Sequence, residues 1–135
     1  MNNIDFYTDG AFSPSRNCGG WAVYCPELNL RICGKEKETT INRMELTAVI
    51  NALEFIIDSN LPYKNINIYS DSMYVVGGLE LNWTKNKNED LWDKVQFLRE
   101  GLFDKVIKFI HVSGHSDIEG NEVADSLAVK ASHLL

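Results

Sequence analysis

The sequence predicts an α/β protein built on a five-stranded mixed sheet of strand order 3-2-1-4-5, with helices on both faces. Two observations lead to this. The first 35 residues alternate apolar and polar positions in three short runs separated by turn residues, the pattern of an antiparallel meander. Downstream, helical and extended periodicities alternate, completing the order βββ-α-β-α-α-β-α. Strands joined through helices lie parallel with right-handed crossovers, so strand 1 takes the centre, strands 2 and 3 extend one side and strands 4 and 5 the other.

The first strand is Ile4–Gly10, with Ile4, Phe6 and Thr8 on one face and Asp5, Tyr7 and Asp9 on the other. Its Asp9-Gly10 end also has the form of a hairpin turn. Ala11–Gly20, rich in Ser, Pro, Asn and Gly, reads as a loop. Trp21–Tyr24 and Leu30–Gly34 follow as strands around a turn at Pro26–Asn29. A helix is predicted over Asn42–Ser59, with the stripe Glu45, Ala48, Val49, Ala52, Leu53 and Ile56 facing the sheet. Asn42-x-x-Glu45 has the spacing of a capping box, so Glu45 has an ordinary structural role open to it.

Asn65–Ser70 is the fourth strand, and Asp71 stands where it meets the helical pattern starting at Ser72, a place suited to an N-cap. Gly77–Asn88 reads as the end of that short helix and then a loop. From Glu89, Leu91, Val95, Leu98 and Leu102 mark a helix with Trp92 beside its stripe. Val106–Val112 is the last strand, and Ser113–Gly120 a loop with two glycines. The final helix, Asn121–Ser132, is expected to bury Val123, Ala124, Leu127, Ala128 and Ala131. Asp125 lies at the flank of that stripe, where a solvated helix charge is commonplace.

At 135 residues, with 44% hydrophobic and 24% charged residues, the chain is expected to form one domain over residues 1–135. Cys18, Cys25 and Cys33 show no C-x-x-C spacing, which suits a reduced, cytoplasmic setting. No secretory signal is visible and no apolar run is long enough to span a membrane. A net charge of −6 argues against gripping nucleic acid through a broad basic surface, but is compatible with meeting phosphates through metal ions.

On the predicted topology, Asp9 and Asp71 end adjacent parallel strands, and the helix positions of Glu45 and Asp125 can approach the same edge. Four unpartnered carboxylates repel one another. All-oxygen ligands suit hard cations, Mg²⁺ or Mn²⁺, and two such ions can hold both the attacking water and the leaving oxygen of a phosphodiester. His115, in the glycine-flanked loop, offers proton transfer near neutral pH, against the plainer reading of a water-exposed loop histidine.

The runs Tyr7-Thr8-Asp9-Gly10-Ala11, Asn42-Arg43-Met44-Glu45-Leu46, Tyr69-Ser70-Asp71-Ser72 and Gly114-His115 with Gly120-Asn121-Glu122-Val123-Ala124-Asp125 resemble the motifs of type 1 ribonuclease H, in order and at comparable intervals. The resemblance implies a ribonuclease H-like fold and a nuclease that cuts the RNA strand of RNA/DNA hybrids, leaving 5′-phosphate and 3′-hydroxyl ends. It further implies two Mg²⁺ ions, with Mn²⁺ as a substitute, and a monomer. Asp9 would touch both metals, Asp125 would join it on one, and Glu45 and Asp71 would hold the other. His115 would serve proton transfer or product release. Gly10, Thr40, Asn42, Trp83, Lys85, Lys87 and Asn121 are the implied substrate-binding residues, Asn42 reading an RNA 2′-hydroxyl and Thr40 a DNA phosphate.

Two departures from the family pattern stand out. The interval from Asp71 to Trp92 is short and carries only Lys85 and Lys87 where many cellular members have a basic protrusion. Ile41 stands where members commonly carry a polar residue that touches the RNA minor groove. The competing readings are a DNA-cutting resolvase or integrase core on the same fold, which lacks the Asn-Arg-x-Glu and Gly-His motifs, and a catalytically silent hybrid- or RNA-binding module.

Overall fold

The computed structural model describes residues 3–81, 87–113 and 118–133. Strands β1 (Asn3–Ser13), β2 (Cys18–Cys25), β3 (Leu30–Lys37), β4 (Asn65–Ser70) and β5 (Val106–His111) form one sheet of order β3-β2-β1-β4-β5. β1 pairs antiparallel with β2 and parallel with β4, and β4 pairs parallel with β5. The predicted order and directions are those observed. The helices are α1 (Ile41–Ser59), α2 (Met73–Glu80), α3 (Glu89–Glu100) and α4 (Glu119–His133).

Period-two alternation in β1 sends Ile4 and Phe6 into the core under α1, where both are fully buried beside Ile66 and Ile68 of β4. The α1 stripe meets them with Leu46, Val49, Leu53 and Ile56, and α3 packs Val95 and Leu98 behind α1. α4 covers the opposite face over β1 and β2. Within it Ala124, Ala128 and Ala131 are buried as expected, whereas Val123 and Leu127 are only half-buried, because they lie at the edges of the stripe.

Three plainer local readings that the sequence left open fall away. Asp9-Gly10 is no turn: β1 continues to Ser13, with Asp9 opposite Ala22 and Gly10 opposite Trp21. Most of the predicted loop is therefore strand, and the hairpin closes through residues 14–17, where Asn17 takes the left-handed conformation (φ 47°). The cap of α1 is Thr40, not Asn42: Thr40 is extended, and its hydroxyl accepts the Arg43 N–H at 3.2 Å. The cap of α2 is Ser72, accepting from Val75 N–H at 3.2 Å, which relieves Asp71 of that task. α4 also starts two residues earlier than the apolar pattern suggests.

At the β5 edge Glu80 accepts the Phe109 N–H at 2.7 Å, and ahead of β5 Lys105 donates to the carbonyls of Leu61 and Tyr63, both at 2.6 Å. Among the described residues, no helix is long and apolar enough to cross a membrane.

The seating of α4 on β2 depends on Gly20, where a Cβ would press on the backbone carbonyl of Ala128 and come within 2.5 Å of the Ser132 nitrogen. Gly20→Ala should therefore cost about 1–3 kcal/mol in chemical denaturation. An unchanged midpoint would show that α4 can step back freely.

Candidate active site

The site forms where β1 and β4 part. Their pairing ends at Tyr7 opposite Tyr69; beyond it the Thr8 hydroxyl donates to the Tyr69 carbonyl at 3.1 Å. Asp9 and Asp71 stand just past this fork, Asp9 within β1 but beyond its parallel pairing and Asp71 immediately after β4, where open α/β sheets leave a crevice. Glu45 is delivered from the other side by α1. Gly10 permits the approach: a Cβ there would lie 2.6 Å from the Glu45 nitrogen and 2.7 Å from the Met44 carbonyl carbon. The sequence motif Asp-Gly thus reflects a strand that a helix touches, and glycine is needed for space.

One carboxylate oxygen each from Asp9, Glu45 and Asp71 lies within 4.8 Å of the other two. Asp9 is 1% exposed and Glu45 7%. Asp9 Oδ1 accepts the Gly10 N–H at 2.9 Å, but its Oδ2 and Glu45 Oε1 are buried with no protein partner. Orphaned carboxylate oxygens at such depth are costly unless protonated or bound to a cation. Burial pushes the Asp9 carboxyl far above the usual carboxylate range, helped by the charges of Glu45 and Asp71 and by the nearness of Asp125. Glu45 is raised in the same direction, first by burial and then by Asp71. An all-oxygen donor set with two unpartnered oxygens fits a hard divalent cation.

Asp125, on the second turn of α4, is exposed as a surface charge would be, and is near enough to Asp9 to help raise its carboxyl. It stands outside the tight group of three. The ordinary roles weighed for Glu45 and Asp71 fall away, since Thr40 and Ser72 do the capping. Asn42 sits half-buried in the first turn of α1, and Asn121, 3% exposed, in the first turn of α4. Lys87 is exposed at the approach to α3, and Ile41 is 42% exposed at the start of α1. Trp83, Lys85 and His115 lie outside the described residues.

One motif residue had no role assigned from sequence. Arg43 makes a fork to Asp90, Nη1 to Oδ1 at 3.0 Å and Nη2 to Oδ2 at 2.8 Å, joining the start of α1 to the start of α3. The acidic pair Glu89-Asp90 opening a helix was the available signal.

A sheet of order 3-2-1-4-5 with buried carboxylates gathered where its two central parallel strands diverge defines the ribonuclease H-like class of α/β proteins. The comparison of sequences goes further. The RNase H family model matches residues 1–133, and the chain belongs to the ribonuclease H family. It is 38% identical to a ribonuclease H of Treponema denticola, covering 96% of each protein. A ribonuclease H of Rickettsia bellii is 39% identical, over 96% of this chain and 89% of that protein. For a ribonuclease H of Acetivibrio thermocellus the identity is 38%, over 95% of this chain and 93% of that one. The Treponema alignment spans 157 positions against the 135 residues here, so that relative carries segments with no counterpart in this chain.

The raised carboxylates set the pH dependence of the metal-free fold. A folded-state pKa above the ordinary value means that the folded protein keeps protons the unfolded chain releases. Stability from this pair is therefore full below about pH 4 and is lost as pH rises toward the shifted values. Asp9→Asn should melt higher than the parent at pH 8 without metal, and no higher at pH 4. Mg²⁺ should raise the parent's melting temperature at pH 8 and that of the variant far less. Equal melting at pH 8, with and without the cation, would show that the cluster neither repels nor binds.

Proposed function

We propose that this chain is a Mg²⁺-dependent endoribonuclease that hydrolyses the RNA strand of RNA/DNA hybrids, leaving 5′-phosphate and 3′-hydroxyl ends. The observation that carries the reading is the trio Asp9, Glu45 and Asp71 gathered at the fork of β1 and β4, with Asp9 and Glu45 buried and each left with an unpartnered oxygen. Two ions would share Asp9, with Asp125 joining it on one and Glu45 and Asp71 on the other. When bound, such ions supply Lewis acidity, lowering the pKa of the attacking water and neutralising charge on the leaving oxygen. The Gly10 N–H orients Asp9 through its 2.9 Å bond to Oδ1, leaving Oδ2 for a ligand. His115 would assist by moving a proton or speeding product release.

The hybrid would be held by few contacts. Thr40 uses its oxygen to accept Arg43 N–H, so its own hydrogen is left to donate to a DNA phosphate. Asn42, on the exposed end of the same helix turn, would read an RNA 2′-hydroxyl, and Gly10 and Asn121 would line the RNA path. Lys87, with Lys85 and Trp83, would meet the DNA strand. A monomer in the cytoplasm suits this reading, with Cys18, Cys25 and Cys33 all free thiols.

The reading is tested by incubating the purified protein with an RNA/DNA hybrid, the matching double-stranded RNA and the matching double-stranded DNA, each with and without Mg²⁺ or Mn²⁺. Cleavage of the hybrid's RNA strand alone, dependent on metal, is expected. Hybrid binding without cleavage in either metal would favour a silent binding module instead. Glu45→Gln sharpens the test: Thr40 caps α1 without it, so the variant should fold and melt at or above the parent while losing several orders of magnitude in rate. Retained activity in Glu45→Gln would remove Glu45 from the metal site.

A further inference from the structure

A second polar network ties the starts of three helices together, away from the carboxylates. Besides its fork to Asp90, Arg43 Nη1 donates to Asn88 Oδ1 at 3.2 Å. Asn88, held in the left-handed conformation at φ 59°, donates through Nδ2 to the Tyr74 hydroxyl oxygen at 3.1 Å. Trp92 Nε1 donates to the same oxygen at 3.0 Å, and the Tyr74 hydroxyl in turn donates to the Lys87 carbonyl at 3.2 Å. The Tyr74 and Trp92 rings pack with centroids 5.5 Å apart.

The Tyr74 hydroxyl therefore accepts two bonds and donates one, which is its full capacity. It has nothing left to offer a substrate. What it fixes is the backbone of Lys87 and the side chain of Asn88, the point where the chain turns into α3. Arg43 is likewise committed to Asp90 and Asn88, so its charge is already matched. On a protein of net charge −6, each phosphate neutralised by a lysine matters, and an exposed lysine loses conformational entropy when it binds. Fixing its backbone in advance reduces that loss.

We propose that Tyr74 is a positioning residue for the nucleic acid: its hydroxyl sets the Lys87 backbone so that the ammonium group meets a phosphate of the hybrid. The proposal rests on the assignment of Lys87 to substrate binding. It places a determinant of affinity on α2, on a side chain that does not touch substrate. The same α2 follows directly from Asp71, so one short helix serves both the metal ligands and the phosphate contact.

The test compares Tyr74→Phe, Lys87→Ala and the double variant in steady-state cleavage of a hybrid with Mg²⁺ at several salt concentrations. Tyr74→Phe keeps the ring against Trp92 and removes only the hydroxyl. Each single variant should raise KM by about 3- to 10-fold, the worth of one hydrogen-bonded contact. In Tyr74→Phe, kcat should stay at the parent value. Each should also reduce the dependence of log KM on log salt by roughly one unit, as expected when one phosphate contact is lost. The double variant should be no worse than either single, because both remove the same contact.

If Lys87→Ala raises KM while Tyr74→Phe does not, the positioning role is overturned and Lys87 stands alone. Additive effects with an unchanged salt slope in Tyr74→Phe would overturn it too. No effect of Lys87→Ala would overturn both this proposal and the assignment of Lys87. Should Tyr74→Phe fold poorly, Asn88→Gly keeps the left-handed backbone, removes a partner of the hydroxyl and should give the same rise in KM; a parental KM there would overturn the proposal.

Discussion

Two carboxylates with no protein partner for one oxygen each, Asp9 and Glu45, are the constraint on which the rest of this structure depends. Burying them costs free energy in the absence of a cation, since both are driven toward the protonated form by burial, Asp9 further by Glu45 and Asp71, and Glu45 further by Asp71. The surrounding fold has to hold them together regardless. It does so with apolar packing on both sides of the fork: Phe6, Ile66 and Ile68 under α1 on one face, Ala124, Ala128 and Ala131 of α4 on the other. Because parallel pairing stops at Tyr7 and Tyr69, Asp9 and Asp71 are free to face a ligand and not each other's backbone.

The approach of α1 to β1 turns that packing into a site. Glu45 belongs to the buried stripe of α1, and the same helical period that buries Val49, Ala52 and Ile56 points Glu45 at the sheet one turn earlier, where the core ends. Gly10 sets how close the helix can come. A larger residue there would move Glu45 away from Asp9 and weaken the repulsion by which Glu45 raises Asp9.

Much of this was legible in the sequence, for physical reasons. Periodicities of two and 3.6 are imposed by burial, and burial is what the sheet order and the α1 stripe express. The carboxylates could be read because each interrupts an apolar pattern where a strand or stripe ends. What could not be read were features decided by contacts between distant segments. Asp9-Gly10 carries the local chemistry of a hairpin turn, and only the presence of α1 against it shows that its glycine provides clearance. Thr40 and Asn42 are both competent caps; the choice falls on Thr40, the residue with extended backbone, while Arg43 anchors the first turn to Asp90, far along the chain. The Tyr74 hub was equally hidden, since its partners are Lys87, Asn88 and Trp92 of a later element.

The first turn of α1 shows how closely these tasks are interleaved. Successive residues on a helix are turned by about 100°, so Arg43 and Glu45 point about 200° apart, to opposite sides of the helix. Glu45 faces the sheet and its carboxylates, and Arg43 faces α3 and the network that ends at Lys87. Met44, between them, is fully buried and lies against the space left by Gly10 of β1 and Gly19 of β2. Thr40 closes the helix at its start and Asn42 is left half-exposed beside it. A shift of the helix start by one residue would rotate all of these at once, turning Glu45 out of the crevice and Arg43 away from Asp90. The cap at Thr40 and the fork to Asp90 therefore do more than stabilise a helix end: together they fix the rotation on which both the carboxylate cluster and the network reaching Lys87 depend.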